Sequence, residues 1–153
     1  MTRRDKVFEE LRKLLRDELT WNPMVSYDEL VGPCSEEEVA RAEAELGVSF
    51  GPDYSAFVRE FGSIGVGAES IFGVKGSERA SFEIVEETAS FRKRGWDVPA
   101  GDFVVSSDSR GNPVIYRSSG AIEMPDHDVG DVVHMGDTFL DYLEKAIRGE
   151  LLG

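Results

Sequence analysis

The chain has 153 residues, 41% of them hydrophobic and 31% charged, a balance that permits one continuous core without disulfides or a structural metal and excludes disordered and fibrous classes. Its net charge of -13 excludes general nucleic-acid binding, which needs a basic stripe to meet phosphates. No apolar run reaches the length of a membrane span, and the charged start MTRRDKVFEE lacks the apolar stretch of a signal peptide, so a cytoplasmic, non-membrane protein is expected, monomeric by default. Cys34 is the single cysteine; it leaves no intramolecular disulfide and no multi-cysteine zinc site.

The charge is unevenly spread. Residues 28 to 69 hold ten acids against Arg41 and Arg59, and residues 97 to 150 hold eleven against Arg110, Arg117, Lys145 and Arg148, so these stretches carry -8 and -7. The segments 1 to 27 and 70 to 96 each come to +1. A basic partner would be steered to the two acidic stretches.

Val7, Phe8, Leu11, Leu14 and Leu15 recur at spacings of one, three and four, which predicts an amphipathic helix over residues 3 to 18 whose mixed basic and acidic outer face is solvated. Trp21, Pro23, Gly32 and Pro33 mark residues 20 to 33 as an irregular connection, with a short extended piece at Met24 to Tyr27. Ser35 followed by Glu38 has capping-box spacing, and Glu36, Glu37 and Glu38 sit where the helix dipole favours negative charge. Val39, Ala42 and Leu46 supply the inward stripe of that helix, and Gly47 ends it. Pro52 opens a third helix through Tyr54, Phe57, Val58 and Phe61, closed by Gly62.

Residues 65 to 76 read as a glycine-rich loop leading into a short strand around Ile71, Phe72 and Val74. In residues 77 to 94, Phe82, Val85, Ala89 and Phe91 allow a helix with Glu83, Glu86 and Glu87 solvated, but leave the type of the segment open. Phe103 to Ser106, Val114 to Arg117 and Val132 to Met135 are β-prone runs separated by turns, an antiparallel meander in its simplest form. A closing helix starts at Asp137 or Thr138, places Phe139, Leu143, Ala146 and Ile147 on one face, and ends at Gly149.

The segment SEEEVARAEAELGVSFGPDYSAFVREFGSIG resembles the signature of the SUKH superfamily: a helix ending in E-x-x-L-G, a turn with Pro, Asp and Tyr, and a second helix ending in an aromatic residue and Gly. The resemblance continues through Phe103 to Ser106, Asp108 to Gly111, Pro113 to Tyr116, Gly120, the D-H-D stretch Asp126 to Asp128, and Phe139 to Leu143. Phe50, Gly51 and Pro52 stand where the family usually has Leu-Pro, a departure that touches the turn more than the fold. The resemblance implies a single domain over 1–153 with its family-like core at 35–149. It also implies an α+β fold, with a mostly antiparallel or mixed sheet flanked by N-terminal helices and a C-terminal helix. The function it implies is non-catalytic: a bacterial immunity protein that binds and neutralises a cognate toxin domain. The alternative within the same resemblance is a regulatory scaffold of the cell-wall or signalling type. No cofactor is implied.

A metal-dependent enzyme would have to use residues 126 to 134, where His127 and His134 lie among Asp126, Asp128 and Asp131. The two histidines are seven apart across Gly130, not four apart with a Glu between them as on a zinc-hydrolase helix, so no metal ligands are assigned. Ser106, Ser107 and Ser109 lack a G-x-S-x-G elbow, and the glycines at 62, 65, 67 and 73 match no phosphate-binding loop. What remains is the acidic surface, expected to dock against a basic face of the toxin, a nuclease being one kind of toxin with such a face. Glu69, Asp126, Asp128 and Asp131 are the loop carboxylates expected to meet it.

Overall fold

The computed structural model describes residues 1 to 151, which form six helices and two antiparallel sheets. Helix α1 (Arg3–Trp21) opens on a capping box in which the Asp5 amide donates to Thr2 Oγ1 at 3.1 Å and the Thr2 amide to the Asp5 carboxylate at 3.2 Å. Val7, Phe8, Leu11 and Leu15 are its buried face, as the spacing requires. Arg3 reaches Asp141 at 2.6 Å and Arg12 grips Glu60 through two bonds of 2.6 and 2.7 Å, so part of the outer face ties α1 to its neighbours.

The connection after α1 differs from the expected irregular and extended path. The helix runs on to Trp21, and the Asn22 amide closes it on the Glu18 carbonyl. A one-turn helix, α2 (Tyr27–Leu30), then occupies the place of the extended piece, with Ser26 and Glu29 as its capping box. The physical reason is a second Ser-x-x-Glu pattern: the Glu29 carboxylate accepts from the Ser26 amide at 3.4 Å, and the Glu29 amide donates to the Ser26 carbonyl at 3.1 Å.

Helices α3 (Glu36–Leu46) and α4 (Pro52–Glu60) begin and end where their caps dictate. Ser35 Oγ accepts from the Glu38 amide at 3.1 Å, the Glu38 carboxylate accepts from the Ser35 amide at 3.0 Å, Gly47 is left-handed at φ 67°, and Pro52 stands in the first turn of α4. Gly62 follows α4 at φ 66°, and a β-carbon there would lie 1.9 Å from the Gly32 carbonyl oxygen. Only glycine allows the two backbones to meet so closely.

Strands β1 (Ile64–Val66) and β2 (Glu69–Ile71) form a small hairpin within the stretch expected to be mainly loop. The open question over residues 77 to 94 resolves into a helix only from Ile84: α5 spans Ile84–Lys93, preceded by a turn in which the Ser77 amide donates to the Ala80 carbonyl. The main sheet is a meander of β3 (Phe103–Ser107), β4 (Pro113–Tyr116), β5 (Ile122–Asp126) and β6 (Asp131–Gly136), in that spatial order and antiparallel throughout. Helix α6 (Phe139–Arg148), capped by Thr138 and ended by left-handed Gly149, packs against β6, α1 and α4. Tyr54 anchors the core between α4, the sheet and α6: its ring meets Phe50, Phe57, Phe103, Tyr116 and Phe139, and its buried hydroxyl donates to the Phe72 carbonyl at 2.6 Å.

The two sheet edges are finished differently. On the outer side of β3 the Val104 amide donates to Thr88 Oγ1 at 2.9 Å, and the Val105 carbonyl accepts from the Phe72 amide at 2.8 Å. Helix α5 and the segment after β2 therefore cover that edge. Beyond β6 no strand is paired among the described residues.

Candidate protein-docking site

Of the four carboxylates expected to meet a partner, Asp126 and Asp131 are the paired ends of the β5–β6 hairpin, Asp128 lies in its turn, and Glu69 sits on β2. The segment expected to be a polar loop is thus half strand. Ile122, Met124 and Asp126 point inward by alternation, and the pairing of β5 with β4 stops at Glu123, so Pro125 falls where β5 has only β6 beside it. Proline is tolerated in such a half-paired stretch.

The hairpin is fastened to the β3–β4 turn through Arg110. Its guanidinium reaches Asp126 at 2.7 Å, Asp128 at 3.1 Å and Asp108 at 3.6 Å. Asp126 is buried and also accepts from the Asp128 amide at 2.9 Å; that amide, and then Arg110, hold its carboxyl below the usual aspartate range. The buried Asp108 carboxylate accepts from the Arg110 amide, the Asn112 amide and Asn112 Nδ2 at 3.0, 2.8 and 2.9 Å. Asn112, fully buried, takes the His127 amide at 3.2 Å on its own side-chain oxygen, which also meets His127 Nδ1. Asp126 and Asp108 are consequently part of a polar knot that orders two turns, and Asp126 is not presented to a partner.

Asp126, His127 and Asp128 bring potential ligand atoms within 4.8 Å of one another, but the Arg110 guanidinium already bonds to both carboxylates. His134 stands apart on β6, where Nε2 meets Asp137 at 2.8 Å and Nδ1 lies 4.0 Å from Glu123. The structure therefore does not bring the two histidines into one ligand set.

The exposed part of the hairpin has a different character. Val129 and Val132 are 68% and 51% exposed, and they alternate with exposed Asp128 and Asp131 around Gly130. The Asp131 carboxylate accepts from the Val132 amide at 2.9 Å and forms no ion pair among the described residues. Glu69 is half-buried, and its acid is pushed up first by burial and then by the neighbouring charge of Asp108.

Sequence reasoning missed a second acidic place. Between α3 and α5 lies a groove of about 310 Å³ walled by Glu38, Glu45, Glu83, Glu86 and Arg41 over Ala42, Val74 and Val85. Burial, then Glu86 and Glu38, push the Glu83 acid up. Glu45, Glu83 and Glu86 form no ion pair or side-chain hydrogen bond among the described residues. Two of these acids come from the segment that sums to +1, so only the packing of α5 beside α3 brings the charge together.

No helix of the described residues is long and apolar enough to cross a membrane. No curated protein matches the chain. The profile of the SMI1 / KNR4 family (SUKH-1) matches residues 33–145, from just before the α3 cap to within α6. With that match spanning most of its length and the α+β architecture it implies in place, the chain belongs to the SMI1 / KNR4 family (SUKH-1), whose domains are generally non-enzymatic binding modules.

Proposed function

We propose that this domain is a non-catalytic immunity protein that neutralises a cognate toxin domain by direct binding, with the exposed β5–β6 turn as its docking face. The observation that carries the reading is the juxtaposition of Val129 and Val132 with Asp128 and Asp131 across that turn and the start of β6. Exposed apolar side chains supply what a partner can bury, and the carboxylates around them speed and orient the approach of a basic face. The unpaired acids of the α3–α5 groove add to the same long-range field. A family of binding modules and a net charge of -13 are consistent with this use of the surface.

The test is calorimetry of the full chain with a candidate cognate toxin domain, at low and physiological salt. Tight binding that weakens with salt is expected. Absence of binding, together with capture of an endogenous partner unrelated to any toxin, would replace this reading with that of a regulatory scaffold.

A further inference from the structure

The outer edge of β6 has a definite hydrogen-bonding register, set by one residue of its neighbour. Pro125 is opposite Val132 and has no N–H, so that pair cannot be of the type that exchanges two backbone bonds. The Val132 amide and carbonyl therefore point away from β5. The Asp131 carboxylate confirms the direction, since it accepts the Val132 amide from outside the ladder. By alternation Val133 bonds to Met124, and His134, opposite Glu123, again turns its amide and carbonyl outward. Val132 and His134 thus present outward backbone groups as a template, while the opposite edge at β3 is closed by Thr88 and Phe72. An edge of this kind accepts another strand unless something blocks it.

Two further features lie along the same edge. A recess of about 230 Å³ lined by Val133, His134, Met135, Lys145, Glu150 and Leu151 offers room for an apolar side chain next to the strand. Exposed Asp131 and Asp137 flank the outward groups at either end. A second copy of the chain would bring its own -13 charge and the same aspartates to this edge; like charges placed across a strand pair are destabilising. Lysine or arginine in that position is favoured instead.

We infer that β6 takes up an extended, basic segment of the partner as a fifth strand of the main sheet, paired through the backbone of Val132 and His134. The inference rests on the β5–β6 turn being the docking face, and it adds the mode of binding and the chemistry of the bound segment. The Asp131 carboxylate acts as a gate: it satisfies the Val132 amide in the free protein and is released to a partner cation when a partner carbonyl takes its place.

The experiment uses the full ¹⁵N-labelled chain and a hexapeptide alternating Lys and Val, compared with the same peptide N-methylated at its four central residues. With the unmodified peptide the Val132 and His134 amides should become protected from hydrogen exchange. Methylation, which removes the backbone donors and keeps the charges, should weaken binding about tenfold or more. Equal binding of the two peptides, no binding of either, or unprotected β6 amides would overturn strand addition. A dimer seen by sedimentation without peptide, with those amides already protected, would assign the edge to a second copy and overturn the basic occupant. Failure of the underlying reading looks different: in Asp131→Lys, salt-dependent binding of the toxin domain would be unchanged. Loss of that binding in Asp131→Lys with no effect of methylation would preserve the docking face and reject the strand.

Discussion

At the β5–β6 end of the main sheet Asp108, Asp126 and Asp128 share the guanidinium of Arg110, whereas in the α3–α5 groove Glu45, Glu83 and Glu86 have no cationic partner among the described residues. Both regions are rich in carboxylates, yet they do opposite things. The first spends most of its charge on holding two turns in register, and leaves Asp131 and the solvent side of Asp128 to the outside. The second holds its acids together because the two helices pack there, at some cost in repulsion, and projects a field. Net charge alone does not distinguish them; the position of one arginine does.

Substitutions that disturb the knot should cost more than those that relieve the groove. Asn112→Ala is expected to have the largest effect, because it strips the buried Asp108 carboxylate of one donor and leaves the His127 amide without its acceptor. A loss of about 2 kcal/mol is expected, read as a fall of roughly 5 °C in Tm. A Tm equal to that of the parent chain would show that the knot contributes nothing to folding.

Arg110→Gln should destabilise less, and with a pH signature. The Asp126 carboxyl is held low in the folded protein, so the stability it contributes is present above the unfolded aspartate pKa and lost as pH falls through the folded value. Without Arg110 that depression is smaller. The gap in stability between parent and variant should be widest at neutral pH and close in acid. A gap independent of pH would mean that the arginine acts by packing alone.

Glu83→Gln should produce the smallest change, and of the opposite sign. Burial and the neighbouring Glu86 and Glu38 raise the Glu83 acid, so folding favours its protonated form and stability is lost as pH rises through the raised value. A neutral glutamine should therefore raise Tm at neutral pH by roughly 1–2 °C and make no difference in acid, where the parent is already protonated. Destabilisation at neutral pH would indicate that Glu83 has a partner of opposite charge.

The comparison also explains which features could be read before folding. Helix ends at Ser35, Gly47, Pro52 and Thr138 were legible because caps act locally, within three or four residues. The Ser26 and Glu29 pair that forms α2 carried the same signal within a stretch dominated by Pro and Gly, and it outweighed them. Strand β5 was hidden because the residue that completes its inward alternation is Asp126, and Pro125 interrupts the β-prone run; a buried aspartate reads as a loop until its arginine is known. That arginine is 16 positions away, and nothing local links the two. The groove was hidden for the same kind of reason, since half of its acids come from a segment with a charge of +1. Of the four proposed partner carboxylates, the structure leaves Asp128 exposed in the β5–β6 turn and Asp131 exposed at the start of β6, half-buries Glu69 on β2, and buries Asp126 against Arg110.

The most direct test of the account is the association rate of the toxin domain with the parent chain and with a double variant, Asp128→Lys and Asp131→Lys, by stopped flow at two ionic strengths. A rate reduced about tenfold or more at low salt, with a flattened salt dependence, is the result expected if the acidic β5–β6 turn meets a basic face. Equal rates and equal salt dependence in a variant that keeps the parent Tm would contradict docking at this turn.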